Sequence, residues 1–346
     1  MKKVLFLSIL FIICLLAYLF IDFWWQDNFS LVSPLSRFRS TTQEPKSYSL
    51  NKYSFEALRE REFIGSQISK ACCSAIKLEK VIKKEEKFTA YLFSFETEGK
   101  KVTGQANLPA GRQVSPDQKF PVVVMLRGQV DDEVYFTGAG TYKAAGVFAE
   151  NGFVTLAPDF LGFGGSQTSS SDILEARFER PVTVLSLLAS VGTLEQVNPE
   201  KIVLWGHSNG GQIALSVLEI TKKPIPTTLW APVTKGFPES VLTYMGEMDD
   251  QGLKVKSAID QFLQDYNPKL YSIDNYFTDI VAPLQLHQGT ADTLVPFSWS
   301  DTFVSKMETQ GKKVIYYKYR GNDHNLKQSW DLVVQRDIEF FWKNLK

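Results

Sequence analysis

Histidine and cysteine are scarce in this chain, with three of each among 346 residues. Any imidazole base must therefore be His207, His287 or His324. Three cysteines cannot build a disulfide framework. Cys14 sits in an apolar run, and Cys72 and Cys73 are adjacent, which disfavours a bridge between them; all three read as small buried residues or free thiols. Net charge is missing too, since 38 basic side chains balance 38 acidic ones. Nucleic acid attracts a basic excess, so no nucleic-acid partner is expected. No residue cluster has metal-ligand spacing, and the glycine-rich turn at 162–166 lacks the Lys-Ser/Thr ending of a phosphate-binding loop. No cofactor is implied.

One apolar run is long. Residues 4–21 carry no charge, follow Lys2 and Lys3, and lead into Asp22 and the aromatics Phe23, Trp24 and Trp25. A cleaved signal peptide would have a shorter apolar region and a small-x-small site. Ile13 before Cys14 argues against lipoprotein processing. Aromatics at the end of such a run suit a membrane interface, and the early lysines keep the N-terminus cytoplasmic. Residues 1–25 are therefore expected to form a signal anchor, one N-terminal transmembrane helix that makes the membrane a partner. The expected localisation is the cell membrane, single-pass, with the remainder extracytoplasmic, or secreted if the segment is cleaved. Residues 26–79 read as a tether and N-terminal extension, and residues 80–346 as the main domain.

In that domain, short apolar runs at 121–126, 153–158, 202–205, 227–231, 283–287 and 313–319 alternate with helical patterns. Such alternation predicts an α/β fold, a mostly parallel sheet with helices on both faces. Residues 88–95 and 102–108 flank Glu98-Gly99-Lys100 and read as a hairpin, and a helix is expected over 182–194. Residues 235–279 break the alternation and read as a small lid-like insert. Its eight carboxylates outnumber its four lysines, which reads as a solvated face, with a preference for cationic substrates as the alternative. Tyr244, Phe262 and Tyr276 read as packing residues, with a pocket-lining role as the alternative.

The chain is organised around residues 201–211, an apolar strand followed by Gly206-His207-Ser208-Asn209-Gly210-Gly211, then a helix with Ile213, Val217 and Ile220 on one side. Gly-x-Ser-x-Gly between a strand and a helix is the nucleophile-elbow pattern, in which a strained turn makes the serine oxygen project from the sheet. A serine hydroxyl needs a neighbouring base, and that base needs a carboxylate to hold its tautomer. Ligand sites in such sheets form beyond the carboxyl ends of the strands. Ser208, Asp292 and His324 all fall there, in the serine–acid–histidine order of α/β-hydrolases. His287 lies within a strand and reads as packed, while Asp159 reads as a turn-stabilising residue. The oxyanion of an acyl-transfer intermediate needs N–H donors; Asn209 is one candidate, and Gln129, or Gly128 one residue earlier, is the other.

With these motifs in view, residues 80–346 resemble a prolyl oligopeptidase-type α/β-hydrolase domain. The resemblance rests on Arg127-Gly128-Gln129, the Pro158–Gly164 stretch, the elbow at 206–211, Gly289-Thr290-Ala291-Asp292 with Val295-Pro296, and Gly321-Asn322-Asp323-His324. It implies hydrolysis of a peptide/amide bond or a carboxylic ester through an acyl-enzyme on Ser208, with no cofactor and a small ester or short peptide as substrate. Arg127 stands where the family usually has histidine. The upstream residues are too few for the β-propeller that oligopeptidases use to exclude folded proteins, so peptidase and esterase both stay open. An acyltransferase using the same triad and a non-catalytic binding module are the alternative readings.

Overall fold

The structure is a computed structural model that describes residues 49–61, 74–110, 119–248 and 250–345. The expected membrane helix at 1–25 and much of the 26–79 segment lie outside the described residues. Among the described residues no helix is long and apolar enough to cross a membrane.

Nine strands form one sheet: β1 (Lys77–Lys84), β2 (Phe88–Thr97), β3 (Lys100–Pro109), β4 (Phe120–Leu126), β5 (Val154–Pro158), β6 (Val197–His207), β7 (Thr227–Trp230), β8 (Leu284–Gly289) and β9 (Val314–Tyr319). Their spatial order is β1-β2-β3-β5-β4-β6-β7-β8-β9. The pairs along β1-β2-β3-β5 are antiparallel, and those from β5 through β9 are parallel. The β2–β3 hairpin pairs Thr97 with Lys100 across Glu98 and Gly99, both at positive φ. That is the turn whose twist matches its strands, and it falls where the sequence places it.

Period-two alternation splits the core. Val122, Val124 and Leu126 of β4 join one buried cluster, and Val123 and Met125 join the other. The second cluster is covered by α2 (Tyr142–Glu150) and α8 (Trp330–Asn344). The first is covered by α1 (Phe55–Glu60), α3 (Ile173–Ser190), α4 (Asn209–Thr221), α7 (Phe297–Thr309) and the insert, which carries α5 (Glu239–Leu242) and α6 (Leu253–Asp265). Both faces are thus shielded, as continuous apolar strands demand.

One segment, α3, departs from the sequence expectation: it starts at Ile173, nine residues before the expected 182. Pro181 inside it ordinarily reads as a helix boundary. The Asp172 side chain caps the helix by accepting from the N–H groups of Leu174 and Glu175, and burial of Leu174 and Phe178 carries the helix through the proline. Residues 49–61 fold onto the core, with α1 inside the 53–63 stretch whose apolar spacing reads as a short helix. Leu50, Tyr53, Phe55 and Leu58 are buried there. This segment also binds the insert: the Tyr271 hydroxyl donates to Leu50 O at 3.1 Å, and Arg59 pairs with Asp279 at 2.5 Å.

In the insert, Phe262 and Tyr276 are buried, and Phe262 packs edge-on against Phe237 and Tyr271. Tyr244 is half-buried against Trp299.

Candidate active site

The apolar strand β6 delivers the chain into a turn that α4 leaves at once. Ser208 sits in it at φ 55°, ψ −121°, a conformation an L-residue adopts only under surrounding constraint. Backbone contacts supply the constraint. The Ser208 N–H donates to Trp230 O at 2.9 Å, and Ser208 O accepts from the N–H groups of Gly211 and Val233 at 3.0 Å each. The turn is crowded enough that a Cβ on Gly210 would run into the carbonyl of Leu126. The loop after β4 crosses the turn so closely that a Cβ on Gly128 would lie 2.9 Å from the Ser208 Cβ. Among the described residues, neither the Asn209 N–H at the start of α4 nor the Gln129 N–H is committed to a hydrogen bond. Both remain free to donate, and the first points from a helix N-terminus, where negative charge is favoured.

Asp292 and His324 come from adjacent loops joined by backbone. Thr290 N–H donates to Tyr319 O and Ala291 N–H to Asn322 O, each at 3.0 Å. The two side chains meet in a bond of 2.9 Å between His324 Nδ1 and Asp292 Oδ2. The Asp292 side chain is fully buried, yet it accepts from four donors. Leu294 and Val295 give their N–H groups to Oδ1 at 2.9 Å, and Gln288 Nε2 joins His324 at Oδ2, also at 2.9 Å. Burial pushes this carboxyl upward, but the His324 bond and the Val295 and Leu294 N–H groups outweigh it and hold the pKa below the usual value. A carboxylate accepting at Oδ2 makes Nδ1 the protonated nitrogen of neutral His324 and leaves Nε2 with its lone pair. Among the described residues no hydrogen bond joins Ser208 Oγ to His324.

Two positioning groups were not legible beforehand. His207 Nε2 lies 3.2 Å from the His324 carbonyl oxygen, and the two rings are 4.7 Å apart. A carbonyl only accepts, so Nε2 of His207 carries the proton. Burial, then the neighbouring His324, pushes the His207 pKa down to about 4, so the ring is neutral near pH 7. Arg127 is buried between the rings of Phe163, Tyr135 and Phe160 at 4.1, 4.6 and 5.6 Å, and donates to Gly128 O at 3.0 Å and Asp159 O at 3.2 Å. It pins the turn that carries Gly128 and Gln129. The Asp159 carboxylate accepts from Thr103, Tyr135 and Thr137 hydroxyls, a turn-holding role that matches the sequence reading.

His287 is fully buried and belongs to a different network. It bonds Tyr319 Oη at 2.8 Å and Asp337 Oδ1 at 3.0 Å, and Trp230 Nε1 donates to the other Asp337 oxygen at 2.7 Å. This ties α8 to β7, β8 and β9.

A family model described as the prolyl oligopeptidase family matches residues 141–346. No curated protein sequence matches the chain. Among solved structures, acetyl xylan esterase from Paenibacillus sp. R4 superposes with a TM-score of 0.60 at 16% identity, covering 82% of this chain and 91% of that one. Acylaminoacyl peptidase from Pyrococcus horikoshii gives a TM-score of 0.57 at 19% identity, covering 75% of this chain and 42% of that one. A puromycin-hydrolyzing peptidase of Mycobacterium tuberculosis gives 0.51 at 16% identity, covering 71% and 38%. The chain thus spans well under half the length of the peptidases it resembles, and the likeness at these identities is one of fold.

Proposed function

The chain belongs to the prolyl oligopeptidase family, and from that premise we propose that it is a serine hydrolase cleaving a carboxylic ester or a peptide/amide bond. Ser208 Oγ attacks the substrate carbonyl as His324 Nε2 takes the hydroxyl proton. Asp292 holds the Nδ1–H and stabilises the imidazolium that forms. The N–H groups of Asn209 and Gln129 receive the oxyanion. His324 then passes its proton to the leaving group, which departs and leaves an acyl-enzyme on Ser208. Water repeats the sequence and releases the acid.

The observation that carries this reading is the buried Asp292–His324 bond of 2.9 Å, on loops sewn together at the strand ends where the Ser208 turn also lies. A fluorophosphonate probe should label Ser208 in the full chain and not in Ser208→Ala. Turnover of acyl esters or peptide amides should fall by roughly 10³–10⁶ in that variant; turnover equal to wild type would sink the reading. Short- to long-chain p-nitrophenyl esters beside proline and alanine peptide amides would separate esterase from peptidase.

The same proposal retains residues 1–25 as a single-pass anchor with the hydrolase domain extracytoplasmic. The apolar run and its aromatic end support it. Protease added outside intact cells should degrade the domain; protection of the domain would overturn this placement.

A further inference from the structure

One cleft begins at the residue beside the proposed nucleophile. Asn209 and Gln212 of α4 form one wall, and Phe178, Phe237 and Tyr271 form much of the remainder. Its charged side chains are a pair of arginines, Arg177 and Arg180, three residues apart and so on one face of α3. No carboxylate side chain is among the described residues that line the cleft.

Arg177 is held in place, donating to Gln212 Oε1 and, at 3.3 Å, to Ser240 Oγ. Both partners are neutral, so the charge is positioned and not cancelled. Arg180 makes no hydrogen bond and no ion pair with any described residue. Burial lowers both pKa values to about 10; the neighbouring Arg180 adds to this at Arg177 and Arg127 adds to it at Arg180, where Asp132 partly offsets the effect. Both guanidinium groups therefore stay charged near neutral pH. Two crowded, half-buried cations in a cleft lined by no carboxylate, with Asp132 only partly offsetting the second, are unfavourable. An anion between them would relieve that cost. The planar guanidinium fork suits carboxylate in particular.

We propose that Arg177 and Arg180 form a carboxylate-binding subsite for the far end of the acyl group, so that the preferred substrates are esters or amides of acids bearing a second carboxylate and an apolar body. The aromatic wall would take the apolar body. The acyl side is assigned because Asn209, whose N–H would face the acyl carbonyl oxygen, is itself part of the cleft wall. That assignment rests on the hydrolase reading; carboxylate binding by the arginines does not. The charge is opposite to the one the insert's carboxylate excess would have favoured.

The test uses the full chain and two isosteric esters at pH 7, mono-p-nitrophenyl adipate and p-nitrophenyl hexanoate. The anionic ester should show a kcat/KM at least about tenfold higher, mainly through KM. In Arg180→Gln that ratio should fall about tenfold, and Arg180→Lys should recover part of it. A wild-type ratio of one or less, or a ratio unchanged in Arg180→Gln, overturns the inference. Calorimetry on Ser208→Ala keeps the two readings apart, because it needs no turnover. Monomethyl adipate should bind at least about tenfold tighter than methyl hexanoate, and equal binding overturns the subsite. Tight adipate binding in a chain that hydrolyses nothing would sink the hydrolase reading alone. Hydrolysis without charge preference would sink the subsite alone.

Discussion

His207 Nε2 donates to the backbone carbonyl of His324 at 3.2 Å, so the residue beside the proposed nucleophile holds the loop of the proposed base. His207→Ala removes that clamp and should lower kcat by about tenfold to a hundredfold with little change in KM, as a displaced base would. His207→Gln, which can still donate, should recover part of the loss. Steady-state kinetics on the three proteins checks this.

The same residue predicts how stability depends on acid. His207 has a folded pKa of about 4, below its ordinary value of 6.5. Between these values the unfolded chain binds a proton that the folded chain refuses, so stability falls as pH drops from 6.5 towards 4. Asp292 adds loss at lower pH. Its pKa is depressed in the fold, so its contribution is present above the unfolded carboxyl value and disappears as pH falls through the folded one. Urea denaturation across pH 4–7 should show the fall in wild type and a flatter profile in His207→Gln.

Asp292→Asn keeps the shape but replaces an acceptor-only group with one that also donates. His324 could then adopt the wrong tautomer, and kcat should drop by about 10⁴. Fluorophosphonate labelling of Ser208 should slow in parallel, and an unchanged labelling rate would refute the assigned role.

Gly128→Ala would place a methyl group 2.9 Å from the Ser208 Cβ. The loop must move, and the proposed Gln129 donor moves with it. A loss of about 10²–10³ in kcat is expected, together with a lower thermal midpoint, because Gly128 is buried against the Ser208 turn and overpacking there is destabilising. Kinetics and thermal melting read the two effects separately.

Arg127→Met preserves bulk between Tyr135, Phe160 and Phe163 but leaves the Gly128 and Asp159 carbonyls without their donor. The expected cost is about 1–3 kcal/mol of stability, measured by denaturant titration.

Leu58→Ala tests how firmly the short helix α1 is built into the core. Leu58 is 2% exposed and lies in the main core cluster. The substitution should cost about 2–5 kcal/mol, whereas a residue in a free linker would cost almost nothing.

Strand runs, the Glu98-Gly99 turn and the elbow were legible because each is encoded within a few residues by periodicity or by glycine. The buried state of His287 and the turn-holding role of Asp159 were legible from their place in a strand and after one. The early start of α3 was not, since Pro181 reads locally as a boundary and the burial that overrides it comes from distant segments. That miss hid Arg177 and Arg180. The folding of residues 49–61 onto the core was hidden likewise, because Leu50, Tyr53, Phe55 and Leu58 are ordinary apolar residues until the insert and α3 are seen to cover them.

By itself the sequence determined the α/β alternation, the serine in its strained turn, and which carboxylate and imidazole stand at strand ends, because these follow from local pattern and chain order. Only the tertiary structure decided that Asp292 and His324 touch, that His207 and Arg127 hold the surrounding loops, and that two arginines face a cleft lined by no carboxylate. Those facts depend on distances between residues tens to hundreds of positions apart, and no local pattern carries such distances.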